Sequence, residues 1–377
     1  MNFLIKGGML YDPLAQKMRM GDLAIIAGRI ADPNDGQIYR QEIDASGCYV
    51  TPGLIDFHVH YFHGATSAGV APDSNSFCSG VTTVVDGGSS GTTNYEFYRN
   101  TIMANSQVDI FNQLLIAAGG QITDCYPENM DADRFDENAI VRLFQRYREN
   151  LKGIKLRLSK SILDRETAVR AIVRAKEIAF QVQTPLVVHV TDCPLPLDEV
   201  ASYLSKDDVI CHIYHGQGKN TCLDQNGRVL SGLFEARKRG VLFDSCNGWK
   251  NFDLSVARAA IEQGFYPDII SSDLNSSSNF LQPLYCLPRV MSKYLDFGMS
   301  LENVFNAAIA SPAKCIHEEE LASLAAGTKA DICIFKLKRK AITHTDFNCN
   351  TLTGAQILVP MMTFKNGICV YCQSDFG

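Results

Sequence analysis

Short apolar runs alternate with longer amphipathic segments from about residue 51 to residue 275. This alternation is typical of parallel strands joined by crossover helices, because a parallel connection needs a dozen or more residues. Eight such runs can be counted, and eight parallel strands close a barrel. We therefore predict an α/β fold with a (β/α)8 TIM barrel over residues 51–326. The predicted strands are 53–58, 81–86, 110–118, 153–158, 185–190, 209–213, 241–246 and 268–274.

Three segments between or after these runs have the apolar spacing of helices. In 166–182, apolar residues recur at intervals of three or four positions, and 254–263 ends just before Gly264. A third helix is predicted over 301–314.

Both ends of the chain have strand character instead. Near the start, 3–5, 22–26 and 29–31 are short strands, with Ala27 and Gly28 as a turn. Near the end, 363–371 forms a hairpin with an Asn-Gly turn. We therefore predict that residues 1–50 and 327–377 form one small, discontinuous β-sandwich domain.

Composition excludes some classes of partner and leaves small ligands open. The 377 residues are 46% hydrophobic, carry a formal net charge of −6 and contain no block of lysine or arginine, which argues against a nucleic acid or an anionic membrane. No apolar stretch reaches the roughly 18 to 20 residues of a membrane helix. The odd count of 13 cysteines and the lack of a secretory segment predict a reduced, cytoplasmic protein.

Metal-ligand residue types end several of the apolar runs. Side chains alternate along a strand, so His58 and His60 point the same way, with Val59 on the other face, and one metal ion can be held by both. In a barrel, the carboxyl ends of the strands surround one cavity. The chain therefore predicts one site built from His58, His60, Lys155, His189, His212 and Asp273.

A lone strand histidine is more often a core or surface residue than a ligand, but the joint placement of these residues favours a metal site. Imidazole and carboxylate suit zinc, and also iron or manganese. The histidines at 63, 215, 317 and 344 lack this placement and are predicted to be loop or surface residues, with His215 open as a pocket-lining exception.

Lys155 is the unusual member of the set. Its strand pattern projects the side chain inward, where a cation is unfavourable beside bound metals unless its charge is removed. Taken alone, the residue is equally compatible with a structural salt bridge.

Four segments resemble the amidohydrolase superfamily, and its dihydroorotase-like branch in particular: PGLIDFHVH (52–60), GVTTVVD (80–86), GIK (153–155) and GTKADICIF (327–335). The resemblance covers essentially the whole chain. It implies two divalent metal ions, most simply zinc, and a carboxylated Lys155 that bridges them. His58, His60 and Asp273 would hold one ion, and His189 and His212 the other.

Within that branch, GATSAGV (64–70) and GIKLRLS (153–159) are similar to a deacetylase-like group that hydrolyses acyl amides or esters of α-substituted carboxylic acids, such as N-acyl amino acids or O-acyl α-hydroxy acids. Two loops depart from its pattern: 215–219 replaces an Asn-Gly-Lys, and 247–252 replaces a segment with His before the Gly. The substrate, the stereochemistry and the roles of His215 and Asn247 therefore stay open.

The resemblance implies metal-assisted hydrolysis in which Asp273 takes up a proton and returns it to the leaving group. Arg157, two residues after Lys155, is a candidate for binding the carboxylate of a small acylated acid, against a structural ion pair. The loop 87–93 either presents backbone N–H groups to the substrate or has no ligand role. A cyclic-amide hydrolase and a catalytically silent scaffold are the alternatives, and a homo-oligomer is compatible with the sequence.

Overall fold

The computed structural model describes residues 2–34, 36–123, 125–281 and 284–376. Its strands, in chain order, are β1 (Phe3–Asp12), β2 (Lys17–Ile26), β3 (Arg29–Ala31), β4 (Gln41–Asp44), β5 (Tyr49–Pro52), β6 (Leu54–Val59), β7 (Val81–Asp86), β8 (Asp109–Leu115), β9 (Leu151–Arg157), β10 (Leu186–His189), β11 (Val209–Cys211), β12 (Leu242–Asp244), β13 (Ile332–Thr345), β14 (Thr351–Lys365) and β15 (Ile368–Cys372).

The α-helices are α1 (Pro72–Ser76), α2 (Tyr95–Tyr98), α3 (Glu137–Arg146), α4 (Arg165–Gln181), α5 (Leu197–Ser202), α6 (Ser231–Lys238), α7 (Leu254–Glu262), α8 (Leu287–Asp296), α9 (Leu301–Ala308) and α10 (Ala310–Cys315). Short 3-10 helices cover Phe77–Ser79, Ala132–Arg134 and Glu319–Ala322, and a π-helical turn covers Arg99–Met103. In the described parts of the chain, none of the helices combines the length and apolar character that crossing a membrane requires.

Seven parallel strands, β6 to β12, form a curled sheet in which each strand pairs with the next along the chain. Seven of the eight predicted strands are thereby confirmed, with ends that differ by a few residues. Helices connect most of these strands, and the α/β class follows directly from that alternation.

The eighth predicted strand, 268–274, is not a regular strand. It makes one bridge to β12, between Asp244 and Ile269, and one to β6, between Val59 and Leu274. Within this segment, Asp273 has a φ of 56°, which lies outside the extended region of a strand. The segment still hydrogen-bonds to both edges of the sheet, because Ser245 N donates to Ile269 O at 2.9 Å and Asp273 N to His58 O at 2.7 Å.

Two predicted helices are confirmed nearly to the residue. α4 begins after Asp164, whose carboxylate accepts from Thr167 N, and α7 begins after Asp253, which accepts from Ser255 N and Val256 N. The predicted helix 301–314 is instead two helices, α9 and α10. Pro312 cannot donate a hydrogen bond and its ring crowds the carbonyl four residues earlier, so α9 ends at Ala308.

The second sheet combines strands from both ends of the chain. Its order is β15-β14-β13-β5-β1-β2-β3, and β4 pairs with β1. The Asn-Gly turn of the last hairpin is confirmed, since Asn366 and Gly367 both have positive φ, as the tight turn between β14 and β15 requires. The two facing layers of a sandwich and the domain boundaries at residues 50 and 327 stay predictions.

The two sheets are joined by a buried ion pair. Lys365 Nζ, on β14, donates to Asp331, just before β13, at 2.6 Å and to Asp109 of β8 at 2.7 Å. The inside of the curled sheet is filled by a separate apolar cluster that includes Phe57, Val187 and Ile269. A packed interior leaves the carboxyl ends of the strands as the place for a cavity.

Candidate metal centre and active site

A cavity of about 780 Å³ opens where β6 and β9 to β11 end. His58 lies on β6, Lys155 on β9, and His189 is the last residue of β10. His60 and His212 follow directly after β6 and β11, and Asp273 lies in the irregular segment 268–274. All six line this cavity: His58, His60, Lys155, His189, His212 and Asp273.

The first group consists of His58, His60 and Asp273, whose donor atoms all lie within 4.8 Å of one another. Asp273 Oδ1 is 3.2 Å from His60 Nε2 and 3.8 Å from His58 Nε2. The alternation of β6 brings both imidazoles to one face, as the sequence predicts. The positive φ of Asp273 turns its carboxylate toward them.

The second group consists of His189 and His212, whose ring centroids are 4.4 Å apart. His212 also lies 5.3 Å from the ring of His58, so the two groups adjoin. His212 Nδ1 is 2.8 Å from the carbonyl oxygen of Cys246. That oxygen can only accept, so Nδ1 carries the proton and Nε2 is left with a free lone pair.

Burial sets the protonation of these groups. It lowers the pKa of His58 well below the usual value, and Lys155 and the neighbouring imidazoles lower it further. Burial likewise lowers the pKa of His189 and His212. Burial opposes ionisation of Asp273, but the hydrogen bond from His60 and the nearby His212 outweigh it and lower the pKa of this carboxyl. Neutral imidazoles beside a carboxylate are the forms that bind a metal ion.

Lys155 is 2% exposed and sits among these groups. Its Nζ lies 3.3 Å from each ring nitrogen of His58 and 3.1 Å from Cys211 Sγ. In the described part of the chain, Nζ forms no ion pair with a carboxylate. The structural salt bridge considered from the sequence is therefore not formed with any described residue.

The donor set fits a metal centre. Four imidazoles and one carboxylate converge, and the depressed pKa values of three of these imidazoles keep them unprotonated. A buried lysine beside them, with no carboxylate partner among the described residues, is costly as an ammonium. Loss of its positive charge would remove that cost.

Several residues that support the site were missed from the sequence. Asn251 Nδ2 donates to Asp273 Oδ2 at 2.7 Å. Cys211 lies beside Lys155, and Cys246 Sγ is 3.8 Å from His212 Nε2. The rule that located the other residues could have found Cys246, since it ends the seventh apolar run.

The loop after β7 has a defined contact with the site. Ser89 Oγ is 2.9 Å from His60 Nδ1, and the Asp86 carboxylate accepts from the backbone N–H groups of Gly88 and Ser89. The sequence left two roles open for this loop: presenting backbone N–H groups to the substrate, or no ligand role. The N–H groups of Gly88 and Ser89 bind Asp86, and Ser89 contacts the ring of the predicted ligand His60 through its side chain.

Ser89→Ala is expected to weaken metal binding roughly 10- to 100-fold, because His60 loses the contact that orients its ring. Competition with a chromophoric chelator measures the dissociation constant. Ser90→Ala is the matched control, since Ser90 Oγ contacts Asn112 instead of a predicted ligand. Equal affinities of the two variants would contradict the orienting role.

Arg157 lines the same cavity and is paired with a carboxylate from the loop after β8. Its Nη1 donates to both oxygens of Glu128, at 2.9 and 3.1 Å, and Glu128 is buried. Arg157 Nε has no hydrogen-bond partner among the described residues. Part of the guanidinium is thus engaged and part is not. Nothing in the sequence indicated Glu128 as the partner.

The remaining histidines are mostly as predicted. His63 and His317 are exposed. The prediction that His344 is a loop or surface residue is wrong. It is buried, and its Nε2 lies 2.8 Å from Asp296, because β13 packs this face inward. His215 is also buried and lies outside the residues that line the cavity. Asn247 is buried too, with its Oδ1 3.4 Å from Tyr294 Oη.

Comparison with known proteins identifies the family. A deacetylase of Agrobacterium fabrum (strain C58) is 32% identical over 334 residues, which span 87% of this chain and 79% of the deacetylase. The chain belongs to the amidohydrolase superfamily. No model of a protein family matches this amidohydrolase.

Solved structures agree with that assignment. A crystal structure of a dihydroorotase has a TM-score of 0.88, with 27% identity, and covers 98% of this amidohydrolase and 99% of its own chain. A crystal structure of an adenine deaminase has a TM-score of 0.89 at the same identity and coverage. The predicted resemblance to the dihydroorotase-like branch and its deacetylases is confirmed, and this amidohydrolase is a metal-dependent hydrolase.

Proposed function

We propose that this hydrolase removes an acyl group from the amide or ester of a small α-substituted carboxylic acid, with two zinc ions and a carboxylated Lys155. The carrying observation is the convergence of His58, His60, His189, His212 and Asp273 around a buried lysine in one cavity, in a chain 32% identical to a deacetylase. The expected cytoplasmic location and a homo-oligomer are part of the same proposal and stay untested.

Each ion would have its own protein ligands. His58, His60 and Asp273 would hold one, His189 and His212 the other, and the carbamate of Lys155 would bridge them. Carboxylation replaces an ammonium by an anion, which removes the repulsion between Lys155 and two cations. When bound, such ions polarise an acyl carbonyl and supply hydroxide near neutral pH.

Asp273 is proposed to move the proton. Its Oδ1 faces the imidazoles, while Oδ2 accepts a hydrogen bond from Asn251 at 2.7 Å. The carboxylate is therefore held in one orientation and stays ionised, ready to accept a proton from the attacking group. It then returns that proton to the leaving nitrogen or oxygen.

Arg157 is proposed to bind the substrate carboxylate. Glu128 uses only Nη1, so Nη2 is left for an anion on a side chain that is 29% exposed, whereas Nε is buried without a described partner. Glu128 would then fix the plane of the Arg157 guanidinium instead of competing with the substrate carboxylate. The same pair also borders a second cavity of about 410 Å³, next to the first, with room for a substrate side chain.

Arg157→Met is expected to raise KM for anionic N-acetyl amino acids roughly 10- to 100-fold, and much less for their neutral amides. The reason is that only the anionic substrate forms a hydrogen-bonded charge pair with Arg157, so only its binding is weakened when that pair is lost. Steady-state kinetics on both substrate series measure the difference. Arg165→Met, which breaks the pair with Glu199 outside the cavity, is the control. Equal increases for both series would contradict the carboxylate role.

The residues after His60 do not favour a dihydroorotase. That enzyme is expected to have a carboxylate-binding group beside the first histidine pair, but Tyr61 and Phe62 are buried, and Tyr61 Oη contacts Ser76. The cavity thus receives no cation from this position.

The function is tested with a substrate panel. Zinc-loaded protein is assayed against N-acetyl-D- and N-acetyl-L-amino acids, acetylated α-hydroxy acids, dihydroorotate, hydantoins and adenine. The proposal is supported if acylated acids are hydrolysed with a higher kcat/KM than the other substrates of the panel. Turnover of a cyclic amide or of adenine alone would replace it, and protein that binds no metal would indicate a silent scaffold.

A further inference from the structure

A buried thiol lies inside the donor set. Cys246 follows β12 and is fully buried, and its Sγ is 3.8 Å from His212 Nε2. The thiol sulfur and one ring nitrogen each of His58 and His212 all lie within 4.8 Å of one another. These three residues therefore form a second potential ligand group, which shares His58 with the first.

The contact with His212 is directional. The Cys246 carbonyl oxygen accepts from His212 Nδ1, so the lone pair is on Nε2, the nitrogen that is 3.8 Å from the Cys246 sulfur. One residue thus orients the imidazole through its backbone and offers a soft donor through its side chain.

The backbone supports the same assignment. His212, Cys246 and Asp273 end three successive runs, and all have positive φ, of 65°, 36° and 56°. This conformation is strained for residues other than glycine, and it clusters where a structure fixes side chains for function. Cys246 shares it with two predicted ligands. Asp244, which accepts from Cys246 N at 3.0 Å and from Ser271 Oγ at 2.8 Å, holds the turn in place.

We propose that the Cys246 sulfur is a further ligand of the metal centre, next to His58 and His212. On binding, the S–H bond breaks, a sulfur–metal bond forms and the proton leaves to solvent, so the step needs no oxidant or reductant. A thiolate ligand favours zinc over magnesium or manganese. The inference rests on the metal centre proposed above, but not on the substrate.

Cys211 is the rival thiol and serves as the matched control. It is as deeply buried, and its Sγ lies 3.1 Å from Lys155 Nζ. Its thiol, however, donates to the Val188 carbonyl at 3.3 Å, and among the described residues its sulfur belongs to neither of the two potential ligand groups. Cys211 is therefore assigned to the packing around Lys155, and Cys246 to the metal.

X-ray absorption at the zinc edge of the wild-type holoprotein tests the proposal without a variant. A sulfur neighbour at about 2.3 Å from zinc is expected, beside nitrogen and oxygen at about 2.0–2.2 Å. Cys246→Ser is expected to lose the sulfur neighbour, and Cys211→Ser to keep it. Stoichiometric zinc with nitrogen and oxygen neighbours alone would overturn the thiolate, as would loss of sulfur only in Cys211→Ser.

Cobalt-substituted protein gives a second readout. A thiolate-to-cobalt charge-transfer band in the near ultraviolet is expected for the wild type and for Cys211→Ser, but not for Cys246→Ser. Metal content, measured in parallel, separates the two proposals. Full metal occupancy without a sulfur signal would contradict only the Cys246 ligand. Protein that binds no metal would contradict the metal centre itself. If Cys246→Ser does not fold, Cys211→Ser decides: a retained sulfur signal supports Cys246, and a lost signal overturns it.

Discussion

Asn in place of Asp273 lowers kcat by roughly 10²- to 10⁴-fold and leaves much of the bound metal in place. The amide keeps an oxygen for His60 and for a metal ion, but it cannot accept and return a proton. KM should change little, because the group acts on the reacting bond. Steady-state kinetics and metal analysis of the same preparation measure both effects.

Asp192→Asn is the control for that variant. Asp192 is also a carboxylate on the cavity wall, but it faces Lys160 at 3.4 Å and contacts none of the predicted ligands. Its kcat should stay close to that of the wild type. Unchanged turnover in Asp273→Asn would end the proton-transfer assignment, and complete loss of metal would leave Asp273 as a ligand only.

The sequence could predict that the proposed ligand residues share one cavity because two simple rules coincide. Alternation along β6 puts His58 and His60 on one face, and the common edge of parallel strands gathers His189 and His212 from distant positions. Both rules depend only on spacing along the chain. Neither needs knowledge of how loops fold.

The features that the sequence did not predict depend on contacts that follow no regular spacing along the chain. Glu128 reaches Arg157 from a long loop, and Asn251 reaches Asp273 from another. The segment 268–274 is irregular, and the positive φ of Asp273 within it is a conformation that the residue type alone does not predict. Such features are fixed by the assembled site and not by local propensity.

The break between α9 and α10 is a different kind of miss. Pro312 is visible in the sequence, and its effect on the preceding turn is a general rule. The helical spacing of the apolar residues over 301–314 continues across the proline, so spacing alone predicts one helix. The rule for proline predicts the break.

Met in place of Lys155 removes stoichiometric metal and activity together. The loss of metal affinity is larger than the roughly 10- to 100-fold effect of changing a residue, such as Ser89, that only contacts a ligand. A methionine of similar length fills the space but cannot form a carbamate, so two cations would face each other without a bridging anion. Lys152→Met is the matched control, because Lys152 lies on the same strand and pairs with Glu318 outside the cavity.

Carboxylation itself can be observed directly. Metal-free wild type reconstituted with zinc and ¹³C-labelled bicarbonate should give a carbamate carbon signal in NMR, and Lys155→Met should not. Reconstitution in carbon-dioxide-free buffer should yield little metal binding, because the ammonium of Lys155 then remains among the imidazoles. Full metal binding without bicarbonate, or in Lys155→Met, would mean that the histidines and Asp273 hold the metal without a modified lysine.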